Sequence, residues 1–371
     1  MKRLKRADLI YFLCAAATLI GLTVMFIYVL QSKNPKTPAV SSEVQANRAI
    51  TDKCANVDPV KQNIYDCYKN ELTQIINQQG AEQATALLKQ QYSQVSYVKS
   101  ECHQLMHVVG RATYAKYGNL AEAFAHGDQF CWSGFYHGIM EQLSTEKGYD
   151  YIVQNANSLC TPIAKKYGQG SFNDYNCVHG LGHGFMEIQD ENLFDALKSC
   201  DNLNDSWDRE SCYGGVFMQN TMNVQGPEAQ NLADYPYLKA SEPMYPCTVL
   251  DDQYKSSCYL TQTSFALQVA KYDFGTIFAE CAAVEPAYVN LCYNSLGRDA
   301  SGQTISDVAK TKAICLLGAD ENAQTQCVIG AAKDFVSYFH SDNQAYSLCG
   351  AMPNSITPTC NATVKSYYAS F

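Results

Sequence analysis

Short helix-like runs of apolar residues, broken by polar segments, fill the chain from Cys54 onward, and cysteines stand where the two kinds of segment meet. One set of runs ends on a cysteine: LFDALKSC at Cys200, FGTIFAEC at Cys281, VAKTKAIC at Cys315 and QAYSLC at Cys349. A polar segment such as DNLNDSWDRES or GADENAQTQ follows. A second run then starts at another cysteine, as in CYGGVFMQNTM at Cys212, CYLTQTSFALQVAKY at Cys258 and CVIGAAKDFVSYF at Cys327. This predicts a helix, a turn and a helix, with a cysteine at each edge of the turn. No segment reads as a series of strands.

The second-type cysteines at 177, 212, 258, 292 and 327 lie 34 to 46 residues apart, the period of two-helix repeats. In period and shape the array resembles tetratricopeptide-type α-hairpin proteins. It lacks their Trp-Leu-Gly-Tyr signature, so the resemblance implies an architecture and no function. The expected fold is all-α: about eight stapled hairpins that bury by stacking what none can bury alone, curling into a solenoid with a concave face.

The cysteine spacing predicts a disulfide across each turn: Cys54–Cys67, Cys160–Cys177, Cys200–Cys212, Cys247–Cys258, Cys281–Cys292, Cys315–Cys327 and Cys349–Cys360. Closing a loop of this size contributes roughly 3 kcal/mol in the chain-entropy model. Cys102 and Cys131 each open a second-type run and have no partner at the end of a first one. Either they bond to each other across adjacent repeats, or they are free thiolates beside His103 and His107. An oxidising compartment favours the Cys102–Cys131 disulfide.

Residues 9–30 are overwhelmingly apolar and uncharged, long enough to span a bilayer as a helix. Lys2, Arg3, Lys5 and Arg6 precede this run, within the basic segment 1–8, and the positive-inside rule puts that segment in the cytoplasm. The expected organisation is a basic N-terminus (1–8), a single-pass uncleaved signal-anchor (9–30), a Pro/Ser/Asn-rich tether (31–50) and an extracytoplasmic repeat domain (51–371). Seventeen cysteines fit that compartment. Sequons stand at Asn204 and Asn361, which matter only on a eukaryotic secretory route. The terminal SYYASF is expected to cap the last repeat.

Net charge is −9, and beyond residue 30 the balance is 23 basic against 35 acidic residues. A nucleic-acid partner is excluded, since such binders carry clustered positive charge.

Candidate chemistry concentrates between Cys102 and Glu187. CHQLMHVVGR, CWSGFYHGIME and CVHGLGHGFME hold five of the seven histidines, and the last two share Cys-x5-His-Gly-x-Met-Glu. On helices these residues form one face: His103, His107 and Arg111; then Ser133, His137, Met140 and Glu141; then His179, His183, Met186 and Glu187. The face continues as Gly214, Met218 and Met222 and dissolves into Ser264, Arg298 and Lys333.

Imidazole and carboxylate at i, i+4 spacing is a metal-ligand arrangement, so His103, His107, His137, Glu141, His179, His183 and Glu187 are the candidate ligands of zinc, copper or iron. A first reading is a concave pocket over 102–222 that binds a transition metal or a small ligand. A second is a metal-dependent hydrolase or oxidoreductase with Glu141 or Glu187 as general base. HExxH, CxxCH, the Gly-x-Ser-x-Gly elbow and the Walker loop are all missing from the sequence. A third is a scaffold gripping a protein or glycan, in which Gly134, Gly138, Gly180, Gly182, Gly184 and Gly215 permit close helix approach and the histidines are structural hydrogen-bonders. His126, near a turn, and the isolated His340 are assigned to no site.

Overall fold

A computed structural model describes residues 53–54, 63–225, 229–339 and 341–369. Eighteen helices and no strand are defined among the described residues. They belong to one compact unit, Val57–Phe371. In order they are α1 (Ile64–Gln79), α2 (Ala81–Tyr92), α3 (Ser96–Ser100), α4 (Cys102–Tyr117), α5 (Leu120–Ala125) and α6 (Gly134–Leu159). Next come α7 (Thr161–Tyr167), α8 (Phe172–Ile188), α9 (Leu193–Asp201), α10 (Ser206–Met222), α11 (Asp252–Tyr259) and α12 (Thr263–Val269). The series ends with α13 (Phe274–Ala283), α14 (Val289–Thr304), α15 (Val308–Cys315), α16 (Glu321–Phe339), α17 (Asn343–Ala351) and α18 (Thr357–Tyr368). The anchor expected at 9–30, and His340, lie outside the described residues. Among those described, no helix is long and apolar enough to cross a membrane.

Capping residues, not cysteines, set where the second helices start. Ser171 accepts from the Asp174 amide and Asp205 from the Trp207 amide, so α8 and α10 begin one turn or more before Cys177 and Cys212. The expectation that these helices open on their cysteines is corrected accordingly. Cys131 is a second correction. It opens no helix but sits with Trp132 and Ser133 in three consecutive left-handed conformations, φ 54 to 62°, and α6 starts after them. Gly148, at φ +76°, breaks α6 into the end of one hairpin and the start of the next. A third exception is Cys247, which lies within a run of turns leading to Asp252 instead of at the end of a helix; the described residues at 223–225 and 229–251 are non-helical.

The disulfides run Cys102–Cys131, Cys160–Cys177, Cys200–Cys212, Cys247–Cys258, Cys281–Cys292, Cys315–Cys327 and Cys349–Cys360. Cys54 and Cys67 are each disulfide-bonded. Cys102 and Cys131 are thereby removed as thiolate ligands.

Helices α4, α6, α8 and α10 pack in succession, α11 links α10 to α14, and α14, α16 and α18 continue the row. Glycine decides how closely they approach. A Cβ on Gly215 of α10 would collide with the His179 carbonyl oxygen of α8, and one on Gly182 of α8 with the Cys212 carbonyl oxygen of α10. The same reciprocal pairing joins α4 to α6 through Gly110 and Gly138, and α14 to α16 through Gly297 and Gly330.

Adjacent glycines provide a direct test. Gly215→Ala is expected to destabilise the protein by ~3 kcal/mol or more, because backbone must move to admit the methyl. At Gly214 the added Cβ would stand 3.2 Å from His179 Nδ1. A ring can yield where backbone cannot, and Ala favours the helix by ~1 kcal/mol, so Gly214→Ala should cost far less. Denaturant unfolding of the two variants measures the difference; equal effects would refute this packing.

The row of helices returns on itself. Trp132 Nε1 donates to Asp334 Oδ1 of α16 at 2.8 Å, and the Tyr92 ring lies 6.3 Å from that of Tyr338. The last hairpins therefore cover part of the inner face. Tyr367, in the tail expected to cap the final repeat, turns to this interior and exchanges a hydrogen bond with Ser337 at 3.1 Å.

Candidate metal centre

Helices α4, α6 and α8 carry all five histidines of the central stretch, and the close packing brings their rings into one cluster. Ring centroids lie 4.4 Å apart for His137 and His183, 4.6 Å for His103 and His107, and 4.9 Å for His137 and His179. Two trios have ligand atoms within 4.8 Å of one another: His103, His107 and His137, and His137, His179 and His183. His137 belongs to both. All but His103 are at most 2% exposed.

Hydrogen bonds fix which nitrogen of several rings is free. His103 Nδ1 lies 2.8 Å from the Cys131 carbonyl oxygen, which only accepts, so Nδ1 carries the hydrogen and Nε2 the lone pair. His107 Nδ1 donates to Glu141 Oε1 at 2.8 Å, and its Nε2 faces His103 Nε2 at 3.0 Å. Two lone pairs cannot meet at that distance without a proton or a metal ion between them. His183 Nδ1 donates to Gln219 Oε1 at 2.9 Å, and Gln219 is oriented by donating its amide to Asn223 Oδ1. His179 Nδ1 pairs with the Tyr175 hydroxyl at 3.1 Å. Buried and without a hydrogen-bond partner remain His137 Nδ1, His179 Nε2 and His183 Nε2. Buried ring nitrogens without partners are costly, and anchoring one ring nitrogen, as Gln219 does for His183, is how metal-binding histidines are held.

Glu141 supports the cluster instead of joining either trio. Its Oε1 accepts from His107 and lies 3.8 Å from His183 Nδ1, and its Oε2 accepts from Arg111 Nε at 2.8 Å. Burial alone would raise this carboxyl. The neighbouring His107 and Arg111 charges, with the His107 hydrogen bond, overcome that and hold it well below the usual range. Both carboxylate oxygens of Glu141 are thus engaged, and the group is held ionised. Glu187 is partly exposed and pairs with Arg111 Nη2 at 3.7 Å, in neither trio. Met140 and Met186 are fully buried, and Met140 packs against Gly180 as a core residue. His126 caps α5 and bonds Glu82 at 2.6 Å, apart from the cluster.

Gln219, Tyr175 and Asn223 were not singled out in the sequence. The first two lie one helical turn or one neighbouring position from residues on the histidine face, which is the signal that would have found them. The continuation of that face does reach the same place: Met218, Met222, Ser264 and Arg298 line a cavity of about 320 Å³ that opens on His103.

No family model, curated protein or solved structure matches this chain. The site is therefore read from its own geometry.

Burial, then repulsion from neighbouring imidazoles, holds His137 and His179 well below the ordinary histidine value, and burial lowers His103 to about 3 and His183 to about 4. In metal-free protein the unfolded chain takes up these protons near pH 6.5 while the native state refuses them until far lower. Stability is thus complete above pH 6.5 and is lost as pH falls toward 4. Asp334 and Glu191, raised by burial to about 6 and about 7, act in the opposite sense. Glu101, Asp174 and Asp208, also raised by burial, act in that same sense. The four strongly lowered histidines outweigh these five carboxyls, and Glu141 adds to the loss below pH 4.5. The thermal midpoint in chelator should fall by several degrees from pH 6.5 to 4; a flat or rising midpoint would contradict this electrostatic picture.

Proposed function

We propose that this protein is an extracytoplasmic metal-binding protein whose resident ion is held by His137, His179 and His183, with His103 and His107 beside it. One observation carries the reading: His137, His179 and His183 each bury a ring nitrogen without a hydrogen-bond partner, and ligand atoms of these three rings lie within 4.8 Å of one another. Uncharged nitrogen donors with no thiolate favour a borderline divalent ion, zinc or copper(II). The core packing of Met140 withholds that thioether from the site, which disfavours copper(I).

Binding, not catalysis, is the better-supported role. Glu141 is taken up by His107 and Arg111, which favours a supporting over a catalytic role, and the larger cavity lies beside the cluster at His103. The scaffold reading accounts for the glycines, which are used for close helix approach, but it leaves the orphaned nitrogens unexplained. The apolar segment 9–30 and the tether 31–50 would hold the domain at the outer face of a membrane.

Cobalt(II) titration of the chelator-treated full chain tests the site. The expected result is saturation near one equivalent with the intense visible bands of a low-coordinate site, abolished in His179→Gln. Loss of folded structure in that variant is checked separately by circular dichroism. Absence of any specific cobalt(II) spectrum in the folded wild-type chain would overturn the proposal.

A further inference from the structure

Where the last hairpins close over the histidine helices, a second cavity of about 140 Å³ remains. Its wall contains the rings of Trp132, Phe172, Tyr175, Tyr338 and Tyr367. The Trp132 and Tyr338 rings stand 6.3 Å apart and tilted, two sides of an aromatic box. The left-handed turn Cys131–Ser133 sets this indole in place, and its Nε1 donates to Asp334 Oδ1. Three non-glycine residues in succession at positive φ are an uncommon expense of backbone energy, and here they aim a tryptophan at a buried carboxylate.

The polar atoms of this box are unbalanced. Asp334 is 6% exposed, and its Oδ2 is buried without a partner in hydrogen-bond geometry, with the Ser301 hydroxyl close enough to favour the ionised carboxyl but not satisfying that oxygen. Gln129 Oε1, also in the wall, is buried and unpartnered in the same way. Both are acceptors. No lysine or arginine is among the lining residues. Arg298, whose charge reaches Asp334, already donates to Asp299 and to the Leu260 carbonyl, and the Lys333 ammonium stands 5.9 Å from the Tyr367 ring centroid. Burial pushes the Asp334 carboxyl up to about 6. A bound cation would reverse that push.

We propose that this cavity binds the primary ammonium group of a small alkylamine, with Asp334 Oδ2 and Gln129 Oε1 accepting its N–H groups and the aromatic rings surrounding its charge. Cations are attracted to ring faces, most strongly when desolvated. A primary ammonium supplies the donors that both orphaned oxygens lack; a quaternary ammonium would leave them unpaired. The volume is a few times the ~30 Å³ share of one water, which suits a short amine. His137 and His179 also line the cavity, so the amine would sit beside the proposed ion, but its recognition does not depend on that ion.

Calorimetric titration of the full chain with n-propylammonium, 1-propanol, propionate and tetramethylammonium tests this, each in chelator and again with zinc. The expected result is saturable binding of n-propylammonium in both conditions, at least tenfold tighter than any of the other three. Asp334→Asn, which can still accept from Trp132, should weaken it tenfold or more, and Tyr338→Leu should weaken it with Asp334 intact. Comparison of the four probes on wild-type protein needs no variant to fold. Equal binding of 1-propanol, no binding of n-propylammonium, or unchanged affinity in a folded Asp334→Asn would each overturn the proposal. Binding seen only with zinc would also overturn it, as it would mean that the amine ligates the metal.

Discussion

Complete reduction of the disulfides at neutral pH, without denaturant, is expected to unfold the protein. Seven clasps join segments 11 to 29 residues apart, each contributing ~3 kcal/mol in the chain-entropy model. Native domains are stable by only about 5–15 kcal/mol, so losing all seven clasps at that contribution exceeds the whole stability, and at half of it removes most or all. Packing does not compensate, because the hairpins are short and rest on one another through glycine-lined contacts. Every cysteine in these pairs is at most 7% exposed, so reduction should be slow and then cooperative. Thiol titration followed in parallel with far-ultraviolet circular dichroism reads both. Fully reduced protein that keeps a cooperative thermal transition within a few degrees of the oxidised form would contradict this account.

The second large effect is expected at Glu141. Replacing it with alanine leaves the His107 Nδ1–H without an acceptor and Arg111 without its 2.8 Å partner, both next to a cluster of buried imidazoles. Breaking a buried pair typically costs about 3–5 kcal/mol. The Arg111 side chain is 32% exposed and regains some water, which places the expected loss near ~3 kcal/mol. Metal affinity should fall 10- to 100-fold, the usual result of removing a residue that orients metal-binding histidines. Glu141→Gln keeps an acceptor for His107 but turns an amide toward Arg111, so it should fall between. Urea unfolding and zinc competition would show the ordering. A Glu141→Ala protein with wild-type stability and wild-type affinity would remove Glu141 from the role given to it.

Much of this arrangement could be read from the chain itself. The cysteine spacing places the hairpins, and the register from each cysteine selects the inner face, so His103, His107, His137, His179 and His183 meet as their positions imply. The same register followed to Met218, Met222, Ser264 and Arg298 leads to one cavity, although in sequence that face looks as if it fades. What the sequence conceals depends on accumulated geometry. Trp132 and Asp334 are 202 residues apart, and their meeting follows from small rotations summed over many hairpins, which no local pattern records. The left-handed turn at Cys131–Ser133 contains no glycine, so nothing marks it. Glu141 and Glu187 occupy equivalent places in the repeated phrase, yet one is 2% exposed and the other partly open. Their difference comes from which helices flank them, and a repeat consensus erases it.

The central claim is that stacking brings imidazoles from three helices into a buried centre that retains a transition ion. Elemental analysis of the full chain, purified in its oxidised form without chelator or immobilised-metal chromatography, tests it most directly. The account predicts about one zinc or copper ion per chain and none in folded protein carrying His137→Gln, His179→Gln and His183→Gln together. Metal-free wild-type protein that also fails to take up zinc or copper on addition would contradict it.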